Sequence, residues 1–167
     1  MSRAVCFSHG KESGPWGTKI NALAEVAKRR GWEVESLDYR GMDDPAERIQ
    51  HLIDWAAASG NEELVLAGSS MGGAVVAAAA NTIKPQAVFL MATAVYVPGY
   101  EHLNPEPPHC PVTMVHGWRD EIIPWENGLR FAIESKARYH LIDGDHGLGA
   151  EVPILETMFD VFLQENE

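Results

Sequence analysis

Ser70 stands two residues after Gly68 and two before Gly72, inside the stretch LVLAGSSMGGA that runs from Leu64 to Ala74. An apolar run ends at that turn and an alanine-rich run begins, so the serine falls where a strand gives way to a helix. Glycines on both sides let the two elements approach closely around a strained residue, whose side chain is then exposed above the turn. Ser69 lacks a glycine at both of those offsets. A serine hydroxyl is a weak nucleophile at neutral pH; it needs a base within hydrogen-bond reach, and the base needs a carboxylate to orient it. Both residue types occur at equivalent places. The apolar run Val112 to His116 leads into HGWRDEIIP, with Asp120 a few residues past its end. The run Arg138 to Ile142 leads into DGDHGLG, with His146 in the same relative position. Together the three residue types predict covalent attack on an acyl carbon.

Each of these residues has rivals. His9 and His116 precede glycines at strand ends, His140 falls within a strand, His51 within a helix, and His102 and His109 within a proline-rich segment. Asp143 and Asp145 are too close in sequence to His146 to reach the far side of its ring. Trp16, Tyr96, Tyr100 and Trp118 all fall in strand-end loops, where they either line an acyl pocket or pack against the loops themselves.

Other chemistries find less support. HGKESGPWGTK is glycine-rich, but Pro15 occupies the position where a phosphate-binding pattern starting at Gly10 requires glycine. His102, His109 and Cys110 lie among Pro105, Pro107, Pro108 and Pro111, which reads as an irregular surface loop rather than a metal site. No metal or organic cofactor is expected. The net charge of −11, from 13 basic against 24 acidic residues, and the lack of a basic stripe argue against a nucleic-acid partner. No window approaches the ~20 apolar residues of a membrane span, and the N-terminus lacks the features of a signal peptide. A cytoplasmic protein acting on a small molecule is expected.

The elements that would hold these residues follow from periodicity. At 167 residues a single domain, spanning 1–167, is expected. Strands are predicted at Ala4 to Ser8, Glu33 to Asp38, Leu64 to Ala67, Ala87 to Met91, Val112 to His116 and Arg138 to Ile142. Helices are predicted at Trp16 to Arg30, Pro45 to Ala58, Met71 to Ile83, Trp125 to Ser135 and Pro153 to Gln164. Alternation of this kind gives an α/β protein, a three-layer α/β/α sandwich around a six-stranded, mainly parallel sheet. In such sheets ligands bind beyond the carboxyl ends of the strands, where all three residues fall. From Thr93 to Pro111 the chain holds five prolines and no helical period. Such a long connection is often a binding loop or lid.

Taken together, HGK at His9 to Lys11, GSSMG, HGWRDEIIP and GDHGL, with the order Ser70, Asp120, His146, resemble the α/β-hydrolase fold over essentially the whole chain. The resemblance implies a nucleophile at Ser70, a base at His146, an acid at Asp120, and an oxyanion hole made by the backbone N–H groups of Lys11 and Met71. It implies a small serine hydrolase acting on an ester or thioester. The alternative is a hydrolase-fold binding or scaffold protein with an unproductive triad. The chain departs from the family pattern in lacking the two leading strands and a separate cap domain. Less wall to build a pocket for a large substrate is therefore expected.

Overall fold

A computed structural model describes residues 2–167. The strands are β1 (Arg3–Ser8), β2 (Glu33–Leu37), β3 (Glu63–Ser69), β4 (Ala87–Met91), β5 (Val112–Gly117) and β6 (Arg138–Ile142). The helices are α1 (Thr18–Arg29), α2 (Pro45–Ser59), α3 (Met71–Ile83), α4 (Trp125–Ser135) and α5 (Val152–Glu165), with short 3-10 turns at Glu101–Leu103 and Gly149–Glu151. Every predicted element is present. α1 starts later than its periodicity predicts, because Gly17 is extended (φ −71°, ψ 171°) and forms its N-terminal boundary. β3 runs on to Ser69, held by the pairings Gly68 with Leu90 and Ser69 with Met91.

The six strands are all parallel, in the order β2-β1-β3-β4-β5-β6. The chain moves outward from β1 to β2, then returns across β1 to continue through β3 and β4. This reversal makes the ends of β1 and β3 the switch point of the sheet, where the two connecting loops diverge and leave a crevice. Ser8 pairs with Gly68 at that point, so the HGK loop and the serine turn are neighbours.

Side chains alternate across the strands and separate two cores. On one face Val5, Phe7, Val65, Ala67, Phe89 and Met91 pack against α1 and α5. There Phe159 lies 5.1 Å from Phe89 and 5.9 Å from Phe7, ring centre to ring centre. On the other face Cys6, Leu66, Val88, Leu90 and Met114 pack against α2, α3 and α4. Strands buried on both faces read as unbroken apolar runs, which is why β3 and β4 stand out in the sequence. Among the described residues no helix is long and apolar enough to cross a membrane.

Candidate active site

The turn from β3 into α3 holds Ser70 at φ 57° and ψ −120°, a conformation that non-glycine residues rarely adopt. Its surroundings fix it there. The Ser70 N–H donates to the Met91 carbonyl (2.9 Å), and the Ser70 carbonyl accepts from Gly73 (3.0 Å) and Ala94 (3.1 Å). Such strain persists only where neighbouring structure over-determines the backbone. The glycines have a steric reason. A Cβ on Gly68 would lie 2.3 Å from the Gly72 carbonyl oxygen, and one on Gly72 would lie 1.9 Å from the Ser8 carbonyl oxygen. Closeness of α3 to β3 thus depends on bare backbone at Gly68, and its closeness to β1 on bare backbone at Gly72.

β5 and β6 bring the other two groups to the serine. A Cβ on Gly117 would meet the Gly144 carbonyl oxygen at 2.1 Å, so the end of β5 and the loop after β6 pack backbone to backbone. His146 Nε2 lies 3.0 Å from Ser70 Oγ, and His146 Nδ1 lies 2.8 Å from Asp120 Oδ2. Asp120 has a fully buried side chain. An ionised carboxylate there requires donors, and it has them: Oδ1 accepts the Ile122 and Ile123 N–H groups at 2.9 and 2.8 Å. With the aspartate accepting from Nδ1–H, Nε2 carries the lone pair that faces the serine hydroxyl.

The rivals have other partners. Asp145 Oδ1 accepts the Leu148 N–H at 3.0 Å and shapes the His146 loop, while Asp143 pairs with Arg119 on the surface at 2.6 Å. His116 is buried, with Nε2 2.9 Å from the Ile123 carbonyl oxygen and 3.1 Å from Asp120 Oδ2. It thus backs the same carboxylate that orients His146. This contact is beyond sequence spacing alone, although the i,i+4 separation of His116 and Asp120 is a signal in hindsight.

Lys11 and Met71 both border the cleft beside Ser70. Met71 opens α3, where a first-turn N–H has no carbonyl within the helix to bond. On the other side of the cleft, the N–H of Gly10 is taken by Ser13 Oγ at 3.0 Å, which makes Lys11 the next donor along that loop.

The cleft has a volume of about 720 Å³, within the ordinary range for a small-molecule site. Ile49, Val75, Val97, Leu103, Ile122 and Val152 supply much of its apolar wall. The segment after β4 contributes Ala94, Val97, Tyr100, Leu103 and Asn104 to the wall of this cleft. That segment is fastened down rather than loose: Asn127 Nδ2 donates to the Val95 carbonyl (3.0 Å), Asn104 Oδ1 accepts the Tyr96 N–H (2.8 Å), and Asn81 Nδ2 donates to the Pro107 carbonyl (3.2 Å). Of the four aromatic candidates only Tyr100 borders the cleft. Tyr96 donates its hydroxyl to Glu134 (2.8 Å) beneath the Arg130 guanidinium, and Trp16 and Trp118 are exposed. Loop length without register does not specify which way such rings turn.

Lys19 also borders the cleft, with Nζ donating to the Gly147 carbonyl at 3.1 Å. Loss of hydration pushes its ammonium down to about 8, against the opposing pull of Asp145 and Asp120. Since the unfolded chain keeps this lysine protonated up to about 10.5, the unfolded state binds more protons between those values. Stability from this group therefore rises with pH across that window. Thermal melts of Lys19→Met against the parent are expected to show the variant losing ground as pH goes from 7 to 10; a pH-independent difference would contradict the assignment.

Residues 6–164 match the model of the alpha/beta hydrolase family. Among solved structures, a protein of the alpha/beta superfamily from Xanthomonas campestris pv. campestris is 36% identical with a TM-score of 0.88, over 98% of this chain and 99% of that one. Alpha/beta hydrolase domain-containing protein 10 from mouse is 22% identical with a TM-score of 0.84, over 98% and 90%. An esterase from Pyrococcus furiosus is 14% identical with a TM-score of 0.78, over 98% and 82%. The last two likenesses concern the fold alone. No match is found among curated protein sequences.

Proposed function

Because the chain belongs to the alpha/beta hydrolase family, we propose that it is a serine hydrolase that cleaves a small ester or thioester through an acyl-enzyme. One observation carries the reading: a single imidazole lies within hydrogen-bond reach of both Ser70 Oγ (3.0 Å) and Asp120 Oδ2 (2.8 Å). Ser70 Oγ attacks the acyl carbon while His146 Nε2 takes its proton. Asp120 keeps the ring in the tautomer that can accept, and balances the imidazolium that forms. The carbonyl oxygen becomes an oxyanion and receives the N–H groups of Lys11 and Met71, each worth about 3 kcal/mol of barrier. As the tetrahedral species collapses, the alcohol or thiol leaves with the proton held by His146. Water then attacks the acyl-serine with the same histidine as base, releasing the acid and restoring Ser70. The apolar cleft wall supports an uncharged acyl group as the part of the substrate bound there.

Incubation with a fluorophosphonate probe, followed by peptide mapping, tests the reading. A single adduct is expected on Ser70, together with hydrolysis of p-nitrophenyl acetate. A protein that is neither labelled nor active on a panel of acyl esters and thioesters would instead be a binding protein on a hydrolase fold.

A further inference from the structure

Arg48, on α2, is only 2% exposed, and among the described residues no carboxylate lies within salt-bridge distance of it. An arginine is almost never buried without a partner, because removing its charge from water is costly. What the guanidinium touches is backbone. Nε donates to the Met42 carbonyl at 2.8 Å and Nη1 to the Gly10 carbonyl at 3.2 Å, while the group lies over the Tyr39 ring at 5.4 Å.

Gly10 is the residue whose carbonyl belongs to the same peptide unit as the Lys11 N–H. That carbonyl has a second strong donor. The Tyr39 N–H donates to His9 Nε2 at 2.9 Å, so Nε2 bears a lone pair and the ring proton is on Nδ1; Nδ1 in turn donates to the Gly10 carbonyl at 2.7 Å. Burial lowers the His9 pKa and favours this neutral ring. All peptide bonds among the described residues are trans, so the carbonyl and N–H of the Gly10–Lys11 unit point in opposite directions. Donors that hold the oxygen on the α2 side therefore aim the N–H away from α2. A Cβ on Gly10 would lie 3.5 Å from the Ser70 Cβ, so this peptide unit abuts the serine.

We propose that Arg48 is a positioning residue for the oxyanion hole: its fork ties the Gly10 carbonyl to the Met42 carbonyl, fixing and polarising the peptide whose N–H receives the developing negative charge. The inference rests on the serine-hydrolase reading and on Lys11 as a donor. It gives the buried charge a use. A peptide already held by two donors on its carbonyl needs no reorganisation as the oxyanion forms. The two carbonyls come from different loops, after β1 and before α2, so a planar fork spans them where a lysine ammonium offers only a point charge.

The test compares Arg48→Lys and Arg48→Met with the parent on p-nitrophenyl acetate, and measures inhibition by a trifluoromethyl ketone, whose adduct with serine is a tetrahedral oxyanion. In both variants kcat is expected to fall roughly tenfold to a hundredfold with KM within about twofold, and ketone affinity to weaken by the same factor as kcat/KM. Should Arg48→Met fail to fold, Arg48→Lys, which keeps charge and near-volume, carries the comparison. Folded variants with parental kcat and ketone affinity, or a loss confined to KM, would overturn the role of Arg48 while leaving the triad intact. A parent that is inactive and unlabelled at Ser70 would remove the serine-hydrolase reading, and this inference with it.

Discussion

Ser70→Ala is expected to lower ester turnover by a factor of roughly a million, and Ser70→Ala/His146→Ala to lower it no further. The two side chains are one machine in the proposed mechanism: the imidazole 3.0 Å from Oγ has a proton to take only if the hydroxyl is present. Once either is gone, residual rate comes from binding and oxyanion donors, which both variants retain. Initial-rate assays on p-nitrophenyl acetate decide it. Multiplicative losses in the double variant, or a single-variant loss under tenfold, would mean the nucleophile is elsewhere. The same position predicts a stability effect of opposite sign. At φ 57° alanine keeps the backbone strain that serine bears, whereas Ser70→Gly relieves it and should gain about 1 kcal/mol.

The second large effect is structural. Gly72→Ala is expected to destabilise the fold by several kcal/mol, about 3–5, as for other severe core clashes. The added Cβ would lie 1.9 Å from the Ser8 carbonyl oxygen and 2.6 Å from that of His9. Neither atom is the end of a flexible side chain; both belong to the end of β1 and the loop after it. Relief requires α3 to move off the sheet, which opens the packing of Val75, Val76 and Ala79 on the strands beneath. Gly17→Ala, where an added Cβ meets nothing within 4 Å, provides the contrast and should cost less than about 1 kcal/mol. Urea unfolding of the two variants measures the difference, and equal midpoints would show that the β1–α3 approach tolerates a methyl group.

The parts of this molecule that were readable in its sequence are those set by periodicity and by backbone geometry. β4 and α3 start and end where their apolar runs do, because a strand covered on both faces has no polar positions to blur its limits. Ser70, Asp120 and His146 are recognisable because each falls within four residues of the end of a strand, and a parallel sheet collects such positions at one edge. Arg48 was not legible. On an amphipathic helix a charge normally faces solvent, and only the tertiary crossing of α2 over the HGK loop puts this one inside. The approach of Gly117 to Gly144 is equally hidden, since it joins the end of β5 to the loop after β6, whose relative height depends on the register of Gly117 with Ile142. The aromatic residues of the loops follow the same logic: spacing gives their element but not their direction.

The positions of β3 and β6 in the sheet have a dynamic consequence. Ser70 follows an interior strand with neighbours on both sides, whereas His146 follows an edge strand bonded to β5 alone, with two of its five residues exposed and none fully buried. Edge elements open at lower free energy than the interior, without unfolding the rest. The proposed base is thus attached to an edge strand, expected to exchange its amide hydrogens sooner, and the proposed nucleophile to an interior strand, expected to exchange them later. In the proposed mechanism, ester turnover is then expected to fall on heating before the central strands melt.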